Sequence, residues 1–224
     1  PADITRLQAA LTSRSPEVRK NVVILMGKTR FPESRDTLLG LLSNDPEDTV
    51  RHAAVLALGE LGLPETVPAC LKALESPDKF LREHAVLALD RLTFHREEEY
   101  RYDRPPSEQK EGLASWKAWW ETHRGAPRWD WAQEGRESEI PDIRRYAVEA
   151  AARSRDPRAL AVLLAAFGDE DAQVRATATD GLAAFPTEEA VSAAVERLED
   201  PSWEPRCAAI RVLRAVLGKP QEDE

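Results

Sequence analysis

The chain has 224 residues, with 31 Lys and Arg against 40 Asp and Glu, a formal charge of −9 and 42% hydrophobic residues. Phosphate binding needs concentrated Lys and Arg, so this balance argues against a nucleic-acid partner. No apolar run approaches the ~20 residues of a membrane span and no signal-peptide pattern follows Pro1-Ala2-Asp3, so cytoplasm is the default expectation, with the missing initiator Met leaving a processed or excised chain open.

Helical patterns alternate from the N-terminus onward. A short apolar set, Ile4, Leu7 and Leu11, precedes a longer one that opens with Val18-Arg19. The alternation repeats with Leu38, Leu41 and Leu42 before Val50-Arg51, and with Val67, Leu71 and Leu74 before Leu81-Arg82. After an irregular interval it resumes at Ile143-Arg144, continues through Leu160, Leu163, Leu164 and Phe167 to Val174-Arg175, and ends with Val191, Val195 and Leu198 before Pro205-Arg206. The steps between the arginines are 51−19 = 32, 82−51 = 31, 144−82 = 62, 175−144 = 31 and 206−175 = 31. A period of that size means stacked supersecondary units.

Counting the residue before each arginine as position zero, apolar residues fall at 0, 4, 5, 7, 8 and often 11, a helical period with one broad buried face. Positions 4 and 7 are usually Ala (Ala54, Ala57, Ala85, Ala88, Ala147, Ala150, Ala178), which lets neighbouring helices approach closely. Breaker clusters such as Ser43-Asn44-Asp45-Pro46, Ser76-Pro77-Asp78 and Glu199-Asp200-Pro201 separate the two helices of a unit and supply helix caps.

The run from Asp45 through Val50-Arg51, Ala54, Ala57-Leu58-Gly59 and Leu61, echoed from Leu81, Ile143 and Val174, resembles the HEAT-repeat family, in particular the short HEAT-like repeats also found in phycobilin lyases. The resemblance implies an all-α, right-handed α-solenoid of about seven stacked helical hairpins, a single domain over 1–224, with the second helices lining its inner surface. It also implies that the repeated arginines (Arg19, Arg51, Arg82, Arg144, Arg175, Arg206) form a structural ladder with turn carboxylates or carbonyls. Asp45, Asp78, Asp142, Asp171 and Asp200 are the candidate acceptors. Buried charges are paired, which favours this over phosphate binding.

The doubled step hides a deviant unit. A pair placed at 81+31 = 112 puts Trp116, Trp119 and Trp120 at positions 4, 7 and 8, inside an irregular Trp-rich region over 93–139. Its first helix, between Phe94 and Glu111, is expected to be short, distorted or replaced by a loop, because Pro105-Pro106 interrupts it. A second irregular stretch, Gly125 to Glu139, carries Trp129 and Trp131. The three helix tryptophans are expected to fill space left by the missing helix, and Trp129 and Trp131 to remain exposed on a loop as partner anchors.

Catalytic motifs are missing from the sequence: there is no HExxH, CxxC, GxSxG or Walker-type loop. His52, His84, His95 and His123 show no ligand spacing; His95-Arg96-Glu97-Glu98-Glu99 reads as a solvated charged loop, and His52 and His84 as surface residues. Cys70 and Cys207 lie about four repeats apart, too far for one disulfide. Position 6, opposite the buried face, reads Ile24, Leu56, Leu87, Ala118, Glu149, Asp180 and Arg211, apolar first and charged later. These features give the expectation of a monomeric, non-catalytic scaffold or adaptor without metal or cofactor. A protein or peptide segment would be held by Ile24, Leu56, Leu87, Trp129 and Trp131. A bilin lyase-like or lyase-associated role and a DNA glycosylase-like role are the alternatives.

Overall fold

A computed structural model describes residues 2–154 and 156–217, and the side chains of 4–154 and 156–216; Pro1, Arg155 and 218–224, part of the expected 1–224 domain, lie outside the described residues. Among the described residues the chain is all helix and turn, an α-solenoid fold without strands. In chain order the helices are α1 (Ala2–Ala10), α2 (Pro16–Thr29), α3 (Arg35–Asn44), α4 (Asp48–Leu61), α5 (Val67–Ala73), α6 (Lys79–Thr93) and α7 (Lys110–His123). They continue with α8 (Arg128–Arg136), α9 (Pro141–Ser154), α10 (Ala159–Ala165), α11 (Ala172–Gly181), α12 (Glu188–Glu196) and α13 (Trp203–Leu217). Each arginine pair lies on a second helix: α2, α4, α6, α9, α11 or α13, with α7 at the deviant position.

The helices fall into two compact units, residues 1–128 and 129–224. In the first, α2 packs on α4 and α4 on α6, while α3 and α5 cover α4 and α6 from the other side. In the second, α9 packs on α11 and α11 on α13, with α10 and α12 behind them.

Local chemistry explains the boundaries. Asp78 and Asp171 each accept two backbone N–H groups at the start of α6 and α11, filling donors that a helix start leaves orphaned. Gly62 closes α4 at φ +73°, a left-handed conformation that costs glycine little. The small residues set the helix spacing. A Cβ on Gly27 would stand 2.9 Å from the Cα of Ala57, and one on Gly59 2.8 Å from that of Ala88, so α2, α4 and α6 approach backbone to backbone. Ala54, Ala85, Ala147 and Ala178, all at position 4, are fully buried.

The expected gap before α7 exists, and its filling is visible. From residue 94 to 109 there is no α-helix, only turns and a 3-10 segment at Pro106–Glu108. The Tyr100 hydroxyl donates to the Leu74 carbonyl at 2.7 Å, and the Tyr100 backbone crosses α7 at Gly112, where a Cβ would meet the Tyr100 Cα at 2.8 Å. Trp116 is buried in the same core, with Trp119 and Trp120 packed at its edge. The stretch from Gly125 to Glu139 departs from expectation. It forms α8, because Trp131, Ala132 and Gly135 share one buried face of a helical turn and can be covered only together.

Candidate functional site

The arginine ladder is a set of two-sided ties. Arg19 forks onto Asp45 with two 2.8 Å hydrogen bonds, Arg144 onto Asp169 at 2.8 and 2.9 Å, and Arg175 onto Asp200 at 2.9 and 3.0 Å. The remaining guanidinium nitrogen of each donates to a carbonyl of the turn before its own helix: Ser13, Ser138 or Asp169. Each rung thus links one turn to the next, in the planar fork geometry that suits Arg. The hydrogen bond from Arg19 holds the Asp45 carboxyl below the usual carboxylate range, as that from Arg175 does for Asp200. Burial pushes Asp169 up, yet its bonds from Arg144 and the backbone prevail and leave it lowered.

Three of the five proposed acceptors sit elsewhere. Asp142 pairs with its neighbour Arg145, Asp171 is spent on capping α11, and Asp78 caps α6 while binding His52. The reason is a displacement of two residues: the ladder acceptor opens the turn, as Asp169 does, and the cap follows it. At the turn after Arg51 that opening position is Ser76, which lacks a carboxylate. Arg51 turns instead to the Asp45 carbonyl and to Asp48, and Arg82 binds the carbonyls of Ser76, Pro77 and Tyr102. Arg206 donates to the carbonyls of Asp200 and Pro201.

Where the ladder lapses, a histidine group appears. His52 Nε2 and Asp78 Oδ2 are 2.5 Å apart, the His52 and His84 rings meet edge to face at 5.3 Å, and Phe80 tilts against His52 at 6.3 Å. Asp78 is pushed up by burial, but the bonds from His52 and from the backbone N–H groups of Phe80 and Leu81 hold it below the usual range. His84 is pushed down, first by burial and then by the facing His52. Its Nδ1 is buried without a hydrogen-bond partner among the described residues. These two histidines are therefore not simple surface residues; the sequence signal was their separation, 84−52 = 32, one repeat apart on adjacent second helices.

The other two histidines stack on one tryptophan. His95 lies parallel to Trp119 at 4.9 Å and His123 covers the opposite face at 4.2 Å, while Ser115 donates to Glu97 at 2.6 Å. The expected solvated loop is thus partly folded onto α7 through the stacking of His95 on Trp119. Trp131 is 2% exposed and cannot be a surface anchor. Trp129 is half-buried, lying under Arg158 at 4.5 Å and against Ala151, Ala159 and Val162. Trp129 thus belongs to the helical packing of the second unit.

The position-6 column divides between the units. Ile24 and Leu87 are exposed and Leu56 half-buried on neighbouring helices α2, α4 and α6, with His52, Phe80 and His84 on the same side. In the second unit the column closes on itself: Glu149 pairs with Arg153, and Asp180 with Arg211 through bonds of 2.7 and 3.0 Å. The four acidic and basic ends there satisfy one another.

A sequence model of the HEAT repeats matches residues 4–90 and 130–221. The chain belongs to the HEAT-repeat family. Residues 91–129 between those segments escape the match, in keeping with the loop that replaces the first helix there. Over 93 residues the chain is 36% identical to the deoxyhypusine hydroxylase of Phaeosphaeria nodorum, covering 41% of this chain and 28% of that protein. It spans under a third of the length of the curated relatives it matches. Among solved structures, human deoxyhypusine hydroxylase in complex with glycerol is similar at 18% identity and a TM-score of 0.43, covering 98% of this chain and 86% of that one. The complex of CpcE and CpcF of phycocyanin lyase from Nostoc is similar at 19% and 0.44, covering 95% and 92%. Likenesses at that level carry no functional argument.

The relatives overturn the expectation of a non-catalytic scaffold or adaptor, and with it the bilin lyase-like and DNA glycosylase-like alternatives. The proteins matched in sequence are named as an enzyme. Repeat spacing records how helices pack, so a search for contiguous catalytic motifs passes over groups assembled from separate repeats.

Proposed function

We propose that this chain serves side-chain hydroxylation of the deoxyhypusine hydroxylase kind, with the α2–α4–α6 face holding the polypeptide that carries the side chain. The observation that carries the reading is the 36% identity over 93 residues to a deoxyhypusine hydroxylase. Two features of the chain support it. Deoxyhypusine bears amines that are cationic at neutral pH, and a chain of net charge −9 attracts such a group. The aligned Ile24, Leu56 and Leu87 offer an apolar strip for the surrounding polypeptide, beside His52, Phe80 and His84.

Hydroxylation of a C–H bond draws on an oxidising centre, and a non-haem iron site asks for two histidines and one carboxylate around open positions. His52, His84 and Asp78 have that composition but not that arrangement. His52 Nε2 is engaged with Asp78, whose other oxygen caps α6, and among the described residues no group of three or more His, Cys, Asp or Glu is placed to hold a metal ion. No reaction step is therefore routed through a metal here. The part assigned to this chain is recognition and positioning of the substrate polypeptide.

The test is a titration of the chain with a peptide carrying deoxyhypusine and with the same peptide carrying lysine. The deoxyhypusine peptide is expected to bind more tightly, and the double variant Leu56→Glu, Leu87→Glu to lose about 2 kcal/mol or more of that binding while keeping its helical circular dichroism. Equal binding of the two peptides, or binding by neither, overturns the reading.

A further inference from the structure

The histidine group between α4 and α6 holds a buried polar atom that its surroundings leave unanswered. His52 is seated from three sides. Its Nε2 donates to Asp78 Oδ2, since an ionised carboxylate only accepts; the Phe80 ring tilts against it at 6.3 Å, and the His84 ring meets it edge to face at 5.3 Å. The His52 side chain is 15% exposed and that of Asp78 23%. His84 has no such seat: its Nδ1 is buried and, among the described residues, has no hydrogen-bond partner. The charges that act on its ring are His52 from α4, Asp78 from the turn that caps α6 and Glu83 from α6 itself. The other helix packed on α6, α5, contributes none of them.

Protonation changes what this site tolerates. A neutral imidazole leaves one hydrogen bond unmade there, whereas a charged one carries N–H donors on both nitrogens and faces a second imidazole. A buried cationic donor without an acceptor costs free energy to keep in place. Asp78 is already engaged, accepting from His52 and from the backbone N–H groups of Phe80 and Leu81. We propose that His84 is a proton-operated latch between α4 and α6: neutral, its ring closes over His52 and keeps the His52–Asp78 link enclosed; protonated, it turns outward and opens that link to water. A link of this kind contributes little once water reaches it, so the first turn of α6, which Asp78 caps, loosens against α4. The burial that holds the pKa of His84 down acts in the same sense, placing the release below about pH 6.5. The latch is independent of what the α2–α4–α6 face binds.

An NMR pH titration of the full chain tests this, following the histidine rings and the backbone N–H groups of Phe80 and Leu81. The His84 ring is expected to titrate with a midpoint below about 6.5. Below that midpoint the through-space contact between the His84 and His52 rings should be lost, and the Phe80 and Leu81 signals should shift with the same midpoint. Each histidine shows its own ring signals, so a shift that follows His52 is told apart from one that follows His84. In His84→Gln, which takes up no proton, the shift at the His84 midpoint should vanish while circular dichroism stays helical; should that variant fail to fold, the wild-type titration decides alone. A ring contact that persists below the His84 midpoint, Phe80 and Leu81 signals that stay constant through it, or a shift that survives in His84→Gln would each overturn the proposal.

Discussion

The two units use the same register to different ends. In the second, two consecutive rungs are complete, Arg144 with Asp169 and Arg175 with Asp200, and the outward column is closed by Glu149 with Arg153 and Asp180 with Arg211. In the first, one rung is complete, the next two fall back on carbonyls and a neighbouring Asp48, and the outward column stays apolar. The contrast shows that the ladder tolerates loss of its carboxylate as long as turn carbonyls accept the guanidinium. A rung released in this way frees its turn to do something else, here to place Asp78 on His52.

The comparison is broken hardest by deleting the two buried tryptophans, one in each unit. Trp116→Ala and Trp131→Ala should each cost about 3–5 kcal/mol in urea unfolding, because both rings are almost wholly enclosed. A cost under about 1 kcal/mol at Trp131 would mean that α8 is not part of the second unit's packing. Next come the rungs. Asp200→Ala takes the carboxylate from a guanidinium that is only 11% exposed and leaves its Nε without that acceptor, and should cost about 3–5 kcal/mol, whereas Asp48→Ala, at the lapsed rung, should cost under about 0.5 kcal/mol. Equal effects would show that complete and lapsed rungs are equivalent.

Acid should act on both units in a milder way. Asp45 and Asp78 in the first unit and Asp169 and Asp200 in the second have lowered folded pKa values, so the stability they contribute is present above the unfolded value of about 3.9 and is lost as the pH falls through the folded values beneath it. Each unit should therefore lose stability below about pH 4. His84 acts in a different window. Its folded pKa lies below the ordinary value of about 6.5, so the unfolded chain takes up the proton first and stability falls as the pH drops from about 6.5 towards the folded value. His84→Gln should flatten that slope, and a slope unchanged in the variant would show that His84 does not cause it. The smallest effect sharpens the register itself: Ala118→Leu, on an exposed position, should change stability by under about 0.5 kcal/mol, against roughly 1–3 kcal/mol for Ala54→Leu in the contact between helices.

The repeat was legible because burial at fixed positions of a helix leaves a periodic record, down to the alanines that set the helix spacing. The gap before α7 was legible from its prolines and from three tryptophans standing where small residues belong. The helix α8 was not, because Trp129, Trp131 and the glycines around them read as loop until Trp131, Ala132 and Gly135 are seen to share a face. The histidine group escaped for a related reason. His52 and His84 lie one repeat apart, and a search along the chain for ligand spacing of a few residues does not pair them. The name of the relatives' reaction could not be read from spacing at all, since nothing in the packing of Ala54 or Val50 depends on the chemistry a neighbouring face performs.

The loop that carries Tyr100 has a consequence for how the chain folds. Repeat arrays gain stability from each hairpin and from each contact with the next, so order spreads from any nucleus through neighbours that match. In the first unit α2, α4 and α6 form such a run, and in the second α9, α11 and α13 do the same. At the end of the first unit, the Trp-rich segment has no first helix to template, and its order draws on one phenol reaching back to Leu74 and on a large indole enclosed in the core. Either run can therefore nucleate on its own helices, while the segment at residues 94–109 has no repeat of its own to spread from and takes its order from the helices it folds back on. Cooperativity within the first unit is limited by the segment that least resembles a repeat.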